Sequence, residues 1–199
     1  MFGLRLFTAA KKEPEGEVLT ARLNARVQPI DRGEYFEDPL DAMLKELGLG
    51  AVTGGGTQLA DEPAGIEFVD LEIVVDKADE TTRQAIIARL EEIGAPKGSR
   101  LINEATGEEH PFGAHEGMAI FLNGSDLPDT VYAECDINHV ISELDRLMGA
   151  KGKFKGYWEG SRETALYCYG PSFADMRAAV EPLLAGYPLC MKARVEKIA

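Results

Sequence analysis

Imidazole and thiol groups are scarce in this chain. His110, His115 and His139 are its only histidines, and Cys135, Cys168 and Cys190 its only cysteines. His110 and His115 stand among Glu108, Glu109 and Glu116, a donor set able to ligate a divalent ion, but an HxxxxH spacing matches no established metal motif. No metal is expected. Cys135 precedes Asp136 at a helix start, where a thiol pKa falls and a nearby His139 is in principle a base. Position 135 lies just outside that helix, so the expectation is a structural cysteine. An odd cysteine count without CxxC spacing suggests neither a disulfide framework nor a zinc knuckle. GxSxG and HExxH are both absent.

The remaining candidate is "GAVTGGGTQL", residues 50–59, with three consecutive glycines. A Walker loop follows a strand, ends in GK and opens a helix, and a dinucleotide turn also leads from strand to helix. Here the order is helix, glycines, strand, and no lysine follows. Gly54, Gly55 and Gly56 are therefore expected inside a strand, marking a bulge or a close backbone approach. No cofactor is expected.

The elements around these groups repeat. "LTARLNARV" (19–27) alternates as a half-buried strand, with Ala21, Leu23, Ala25 and Val27 on one side. "EDPLDAMLKELG" predicts a helix capped by Asp38, with Pro39 at its first position and Gly48 as its stop. The strands 50–59 and 66–76, a helix over 80–94 and a strand over 99–105 complete βαββαβ. The same order recurs with a strand at 117–124, a helix at 136–149, strands at 152–160 and 164–170, a helix at 171–188 and a strand at 189–198. The expected fold is α+β: two tandem ferredoxin-like βαββαβ units, residues 17–105 and 117–199, joined by a connector over 106–116. Right-handed crossovers place the helices on one face of each antiparallel sheet. The other face of each sheet stays open for packing within the chain, for pairing between subunits, or for a partner.

Alternation places Asp70 and Glu72 of the third strand on the open face of the first unit, beside Arg22, Asn24 and Arg26 of the first strand. Opposite charges on adjacent strands pair. The result is an Arg/Asp/Glu lattice bordered by a strip without side chains, Gly54 to Gly56, followed by Thr57. Such a shelf serves another backbone or a flat ligand. It is equally compatible with a solvated sheet face or an internal contact. The second unit places Phe121, Tyr157, Tyr167 and Tyr169 on its open face, with Lys192 and Arg194 nearby. "KGYW" (155–158) echoes an RNA-recognition signature on the wrong strand, so closure of this aromatic face on another sheet is the expectation.

The 199 residues carry a net charge of -13. Such a surface repels polyphosphate, which disfavours nucleic acid, and it favours encounter with a basic protein. No apolar run spans a bilayer, and "MFGLRLFTAAKKEPEG" is a poor signal segment, so no membrane association and a cytoplasmic location are expected.

"EDPLDAMLKELGLGAVTGGGTQL", "EIGAPKGSRL", "GMAIFLNGSDLPDTVYAECDINHVISEL" and "YWEGSRETALYCYG" together resemble a widespread bacterial family of cytoplasmic proteins. Similar chains occur among the immunity proteins of polymorphic toxin systems. The resemblance covers residues 20–175 and supplies no catalytic residues. The charge of -13, the missing catalytic constellation and the open sheet faces lead to the expectation of a non-enzymatic protein-binding protein, and the resemblance implies an immunity-type inhibitor of a basic toxin. The alternative is a small-molecule-binding protein or enzyme using the Gly54–Gly56 strip and Arg22, Arg26 and Thr57. A homodimer is compatible with either.

Overall fold

The computed structural model describes residues 16–199. Most of the stretch weighed above as a signal segment, up to residue 15, lies outside the described residues.

Five strands form the first sheet: β1 (Glu17–Leu23), β2 (Gly50–Leu59), β3 (Ile66–Val75), β4 (Ser99–Asn103) and β5 (Glu109–Phe112). Their order is β2-β3-β1-β4-β5, antiparallel throughout. The second sheet holds β6 (Glu116–Asn123), β7 (Lys153–Glu159), β8 (Glu163–Gly170) and β9 (Arg194–Lys197) in the order β7-β8-β6-β9. Both place the first and third strands of a βαββαβ unit in the middle. The chain is α+β, with two tandem ferredoxin-like units. The connector is more ordered than its composition suggests. Residues 109–112 form β5, a fifth strand paired to β4 in the register Leu101↔His110.

The helices follow from caps and spacing. In α3 (Glu80–Glu92), Asp79 accepts the Thr82 N–H at 2.9 Å and Ile86 and Leu90 are buried. In α5 (Ile137–Met148), Asp136 caps Asn138 at 2.9 Å and Val140, Leu144 and Met148 form one apolar face. Ser172 caps α6 (Phe173–Gly186), which buries Met176, Val180 and Leu183. A short helix, α4 (Asp129–Glu134), precedes α5.

Asp38 is not an N-cap. The helix begins as α1 (Pro29–Arg32), widens into a π segment (Gly33–Glu37) and continues as α2 (Asp38–Leu47). Pro39 explains the widening. A proline inside a helix lacks an N–H and crowds the carbonyl four residues back. Here the Asp38 N–H reaches the Gly33 carbonyl, five residues back, which opens the turn just before the proline.

Two further expectations are corrected. The last strand spans only Arg194–Lys197, because Pro188–Cys190 forms a 3₁₀ turn and Lys192 takes a left-handed φ of 61°. On β7 a bulge between Phe154 and Gly156 reverses the alternation. Tyr157 therefore sits beside Ile137 and Ile141 of α5, and Trp158 takes the place expected of Tyr157 on the opposite face.

That opposite face of the second sheet is buried. Ala119, Phe121, Ala165, Tyr167 and Tyr169 join the core of the first unit, while Met118, Ile120, Leu166 and Cys168 pack on α5 and α6. The Tyr169 hydroxyl accepts the Arg26 N–H at 2.7 Å, and Tyr167 donates to the Ala64 carbonyl. Trp158 lies against Gly65, whose φ of 64° and lack of a side chain leave room for the indole. Glu116 accepts bonds from Lys97 at 3.0 Å, Lys197 at 2.7 Å and the Phe173 N–H at 2.8 Å. These bonds pull its pKa down to about 2 and tie both units to one carboxylate.

Candidate functional site

With the second sheet closed, the open face of the first sheet remains uncovered by the described residues. Arg22 is its centre. The register pairs Arg22 with Asp70 across β1 and β3. The guanidinium donates to both carboxylate oxygens of Asp70 at 2.8 Å, the bidentate geometry that arginine favours. It also lies 4.1 Å from the centroid of the Phe68 ring. The bond to Asp70, with the charges of Glu109 and Glu104 behind it, raises the Arg22 pKa above its ordinary value. Glu72 stands exposed one pair further along β3, and Arg100 bonds Glu109 at 3.2 Å on the other side.

The three glycines lie within β2, in extended ladder with β3: Gly54↔Glu72, Gly55↔Leu71, Gly56↔Asp70. β2 is the outer strand of its sheet. The register puts Gly54 and Gly56 on the open face, bordering Glu72 and Asp70. A Cβ on Gly56 would meet nothing within 4 Å. Gly55 points the other way, where a Cβ would run into the Asp70 carbonyl and the Arg32–Glu37 ion pair. Its bareness serves packing beneath the strand. The ladder carries its own bulge between Val52 and Gly54, and the Val52 N–H is capped by Asp41 at 3.0 Å.

Not every expected residue joins this face. Asn24 lies beyond the end of β1 and donates to the Lys97 carbonyl at 2.9 Å, so it lines the same shallow depression as Arg22, Phe68 and Arg100. Arg26 does not. β1 ends at Leu23, and the chain then enters the contact between the units. Arg26 gives its N–H to Tyr169 and sets its guanidinium 5.8 Å from the Tyr167 ring. Thr57 faces the helices, where it accepts from Arg32 at 2.9 Å. The strip, Arg22, Arg26 and Thr57 are therefore not brought together as one small-molecule site.

The other candidates are dispersed as well. His110 faces Glu108 at 3.4 Å, whereas His115 turns into the junction between the units. His139 packs its ring on Tyr187 at 4.8 Å, and Cys135 ends α4 in extended conformation, so the two do not form a pair. Among the described residues no group of three or more His, Cys, Asp or Glu is placed to hold a metal ion. Among the same residues no helix is long and apolar enough to cross a membrane.

No family model and no curated protein matches the chain. Among solved structures it is similar to a protein of unknown function from Galdieria sulphuraria, at 9% identity, with 90% of this chain and 95% of that one covered and a TM-score of 0.27. It is likewise similar to the regulatory subunit of aspartate kinase from Thermus flavus, at 11% identity, 85% and 94% coverage and a TM-score of 0.26. The first two RRM domains of the yeast poly(U) binding protein align at 9% identity, 92% and 99% coverage and a TM-score of 0.24. At these scores the alignments say nothing about function, and the fold rests on the strand order and connectivity described above.

Proposed function

We infer that this chain is a protein-binding protein that takes a basic partner on the open face of its first sheet, in the manner of an immunity-type inhibitor covering a toxin. The observation that carries this reading is the unequal fate of the two sheet faces. One is filled from within the chain, and the other presents Arg22, Asp70, Glu72 and the bare Gly54 and Gly56 positions to solvent. A net charge of -13 speeds and strengthens association with a cationic surface. Arg22 offers a stacked, bidentate guanidinium of the kind that anchors interfaces. The glycine positions let a partner's backbone approach β2 closely.

The test is co-purification and calorimetry with the basic product of a neighbouring gene. A complex is expected whose affinity falls steeply with salt. Asp70→Lys and Glu72→Lys are expected to weaken it at least tenfold with little change in melting temperature. Retention of full affinity in both variants, or the lack of any complex at physiological salt, would rule the reading out.

A further inference from the structure

A second place in the molecule is built differently from the open face. Where the units meet, a cavity of about 380 Å³ is lined from both sides. The first unit contributes Tyr35 of the π segment and Ile93 after α3, and the connector contributes His115. The second contributes Lys153 and Lys155 of β7 and Tyr169 of β8. Lys155 is 7% exposed. Its ammonium donates to the Ile93 carbonyl at 3.0 Å and sits 4.5 Å from the Phe36 ring centroid and 5.2 Å from that of Tyr35. That leaves an ammonium with three protons only one conventional acceptor. No carboxylate among the described residues forms an ion pair with it. Glu92, which also lines the cavity, is engaged by Arg89 at 2.7 Å.

His115 is the second anomaly. Its Nδ1 is buried with no hydrogen-bond partner. A Cβ built on Gly94 would lie 2.9 Å from that nitrogen and 3.3 Å from Lys155 Nζ, so the two nitrogens flank one backbone position. A buried cation without a counterion and a buried imidazole nitrogen without a partner, beside the same cavity, each cost free energy unless a ligand completes them.

We propose that the cleft between the two units binds a small organic monocarboxylate, with Lys155 as its buried counter-cation, His115 Nδ1 as a second polar contact and Lys153 at the mouth. The charge of the surroundings selects a monoanion. Glu34 and Glu92 also line the cavity and oppose a dianion such as hydrogen phosphate. Tyr35, Ile93 and Pro171 offer an aromatic and aliphatic wall to an organic body. This site is independent of the open face and shares no residue with it.

The pH dependence follows from the groups around the ammonium, which are Glu34 and Tyr35 of the π segment, Glu92 of α3, His115, Lys153 of β7 and Tyr169 of β8. Burial keeps Tyr35 and Tyr169 protonated above the usual phenol range, and it lowers the His115 pKa, so that ring is neutral at pH 7. Desolvation, with the charge of Lys153 adding to it, pushes Lys155 down to about 8. A bound carboxylate favours the protonated amine, so affinity falls as pH rises through that value.

The experiment is a thermal-shift and calorimetric titration of the full chain with acetate, pyruvate, lactate and benzoate, with phosphate and chloride as controls, at pH 7 and pH 9.5. At least one carboxylate is expected to raise the melting temperature at pH 7 and to bind at least tenfold more weakly at pH 9.5. Lys155→Met, which removes a buried charge, is expected to fold and to lose the response, whereas Arg22→Ala keeps it. The wild-type pH dependence tests the claim even if that variant does not fold. No response to any carboxylate at 10 mM, an equal response in Lys155→Met, pH-independent affinity, or tighter binding of phosphate would each overturn the proposal.

Discussion

The two sheets share one plan and meet opposite ends. Each turns one face of the central strands of a βαββαβ unit away from its helices. On the second sheet those strands carry Ala119, Phe121, Ala165, Tyr167 and Tyr169, and every one is buried. On the first they carry Thr20, Arg22, Phe68, Asp70 and Glu72, where Arg22 and Asp70 keep 33% and 23% of their side chains in contact with solvent. A large aromatic buries about 150–250 Å², and apolar area removed from water is worth roughly 25 cal/mol per Å². A part-exposed ion pair contributes at most about 1 kcal/mol. The aromatic face therefore gains far more from closing than the polar face does. Among the described residues the polar face stays open, because covering it would gain little.

That contrast can be broken most severely at the buried aromatics. Tyr167→Ala is expected to destabilise the protein by about 3–5 kcal/mol, through lost packing and a cavity between the units. Tyr167→Phe, which keeps the ring and loses the hydroxyl with its bond to Ala64, should cost about 1 kcal/mol. Denaturant titration of both variants separates packing from hydrogen bonding. If Tyr167→Ala cost no more than Tyr167→Phe, the closure would not be packing-driven.

Lys155 probes the same junction with the opposite sign. Its amine titrates at about 8 in the folded chain against an ordinary 10.5, so the folded state binds fewer protons than the unfolded state between those values. The burden is full below pH 8 and is relieved as pH rises towards 10.5. In the absence of ligand, Lys155→Met should stabilise the protein at pH 7 by about 3 kcal/mol, with the gain shrinking at higher pH. Melts at pH 7 and pH 10 check both the sign and the trend.

The glycine strip separates packing from exposure within three residues. Gly55→Ala drives a methyl group against the Asp70 carbonyl and should cost about 1–3 kcal/mol. Gly56→Ala meets open space and should change stability by less than about 1 kcal/mol, towards stabilisation. Equal effects at the two positions would contradict the register of β2. The smallest effect is expected on the open face. Arg22→Ala should cost no more than about 1 kcal/mol in urea unfolding, because Asp70 remains solvated once unpaired.

Much of the architecture was legible because its signals are local. Asp136 marks a helix start by side-chain chemistry alone. The alternation of Leu19, Ala21 and Leu23 against Thr20 and Arg22 names both faces of β1. The pairing of Arg22 with Asp70 follows from charge and strand order. Less legible were features in which one residue changes the phase. Gly156 sits in the bulge that exchanges Tyr157 for Trp158, Lys192 in left-handed conformation ends an alternation that otherwise continues to Leu189, and Pro39, which reads as the first position of a helix, lies inside one whose cap is Gln28.

The candidate site divides along the same line. Asp70, Glu72, Arg22 and the glycines were legible as neighbours, since strand pairing within one unit brings them together. The junction was not. Lys155 reads in the chain as one more basic residue on an alternating strand, and His115 as part of a polar connector. Only the docking of one unit on the other removes water from Lys155, orphans His115 Nδ1 and carries Arg26 away from the lattice. Periodicity and capping, which act over a few residues, determined the two units and their faces by themselves. Which face closed, and which polar groups were left without partners when it did, depended on contacts between residues far apart in the chain. Those contacts form only once both sheets exist.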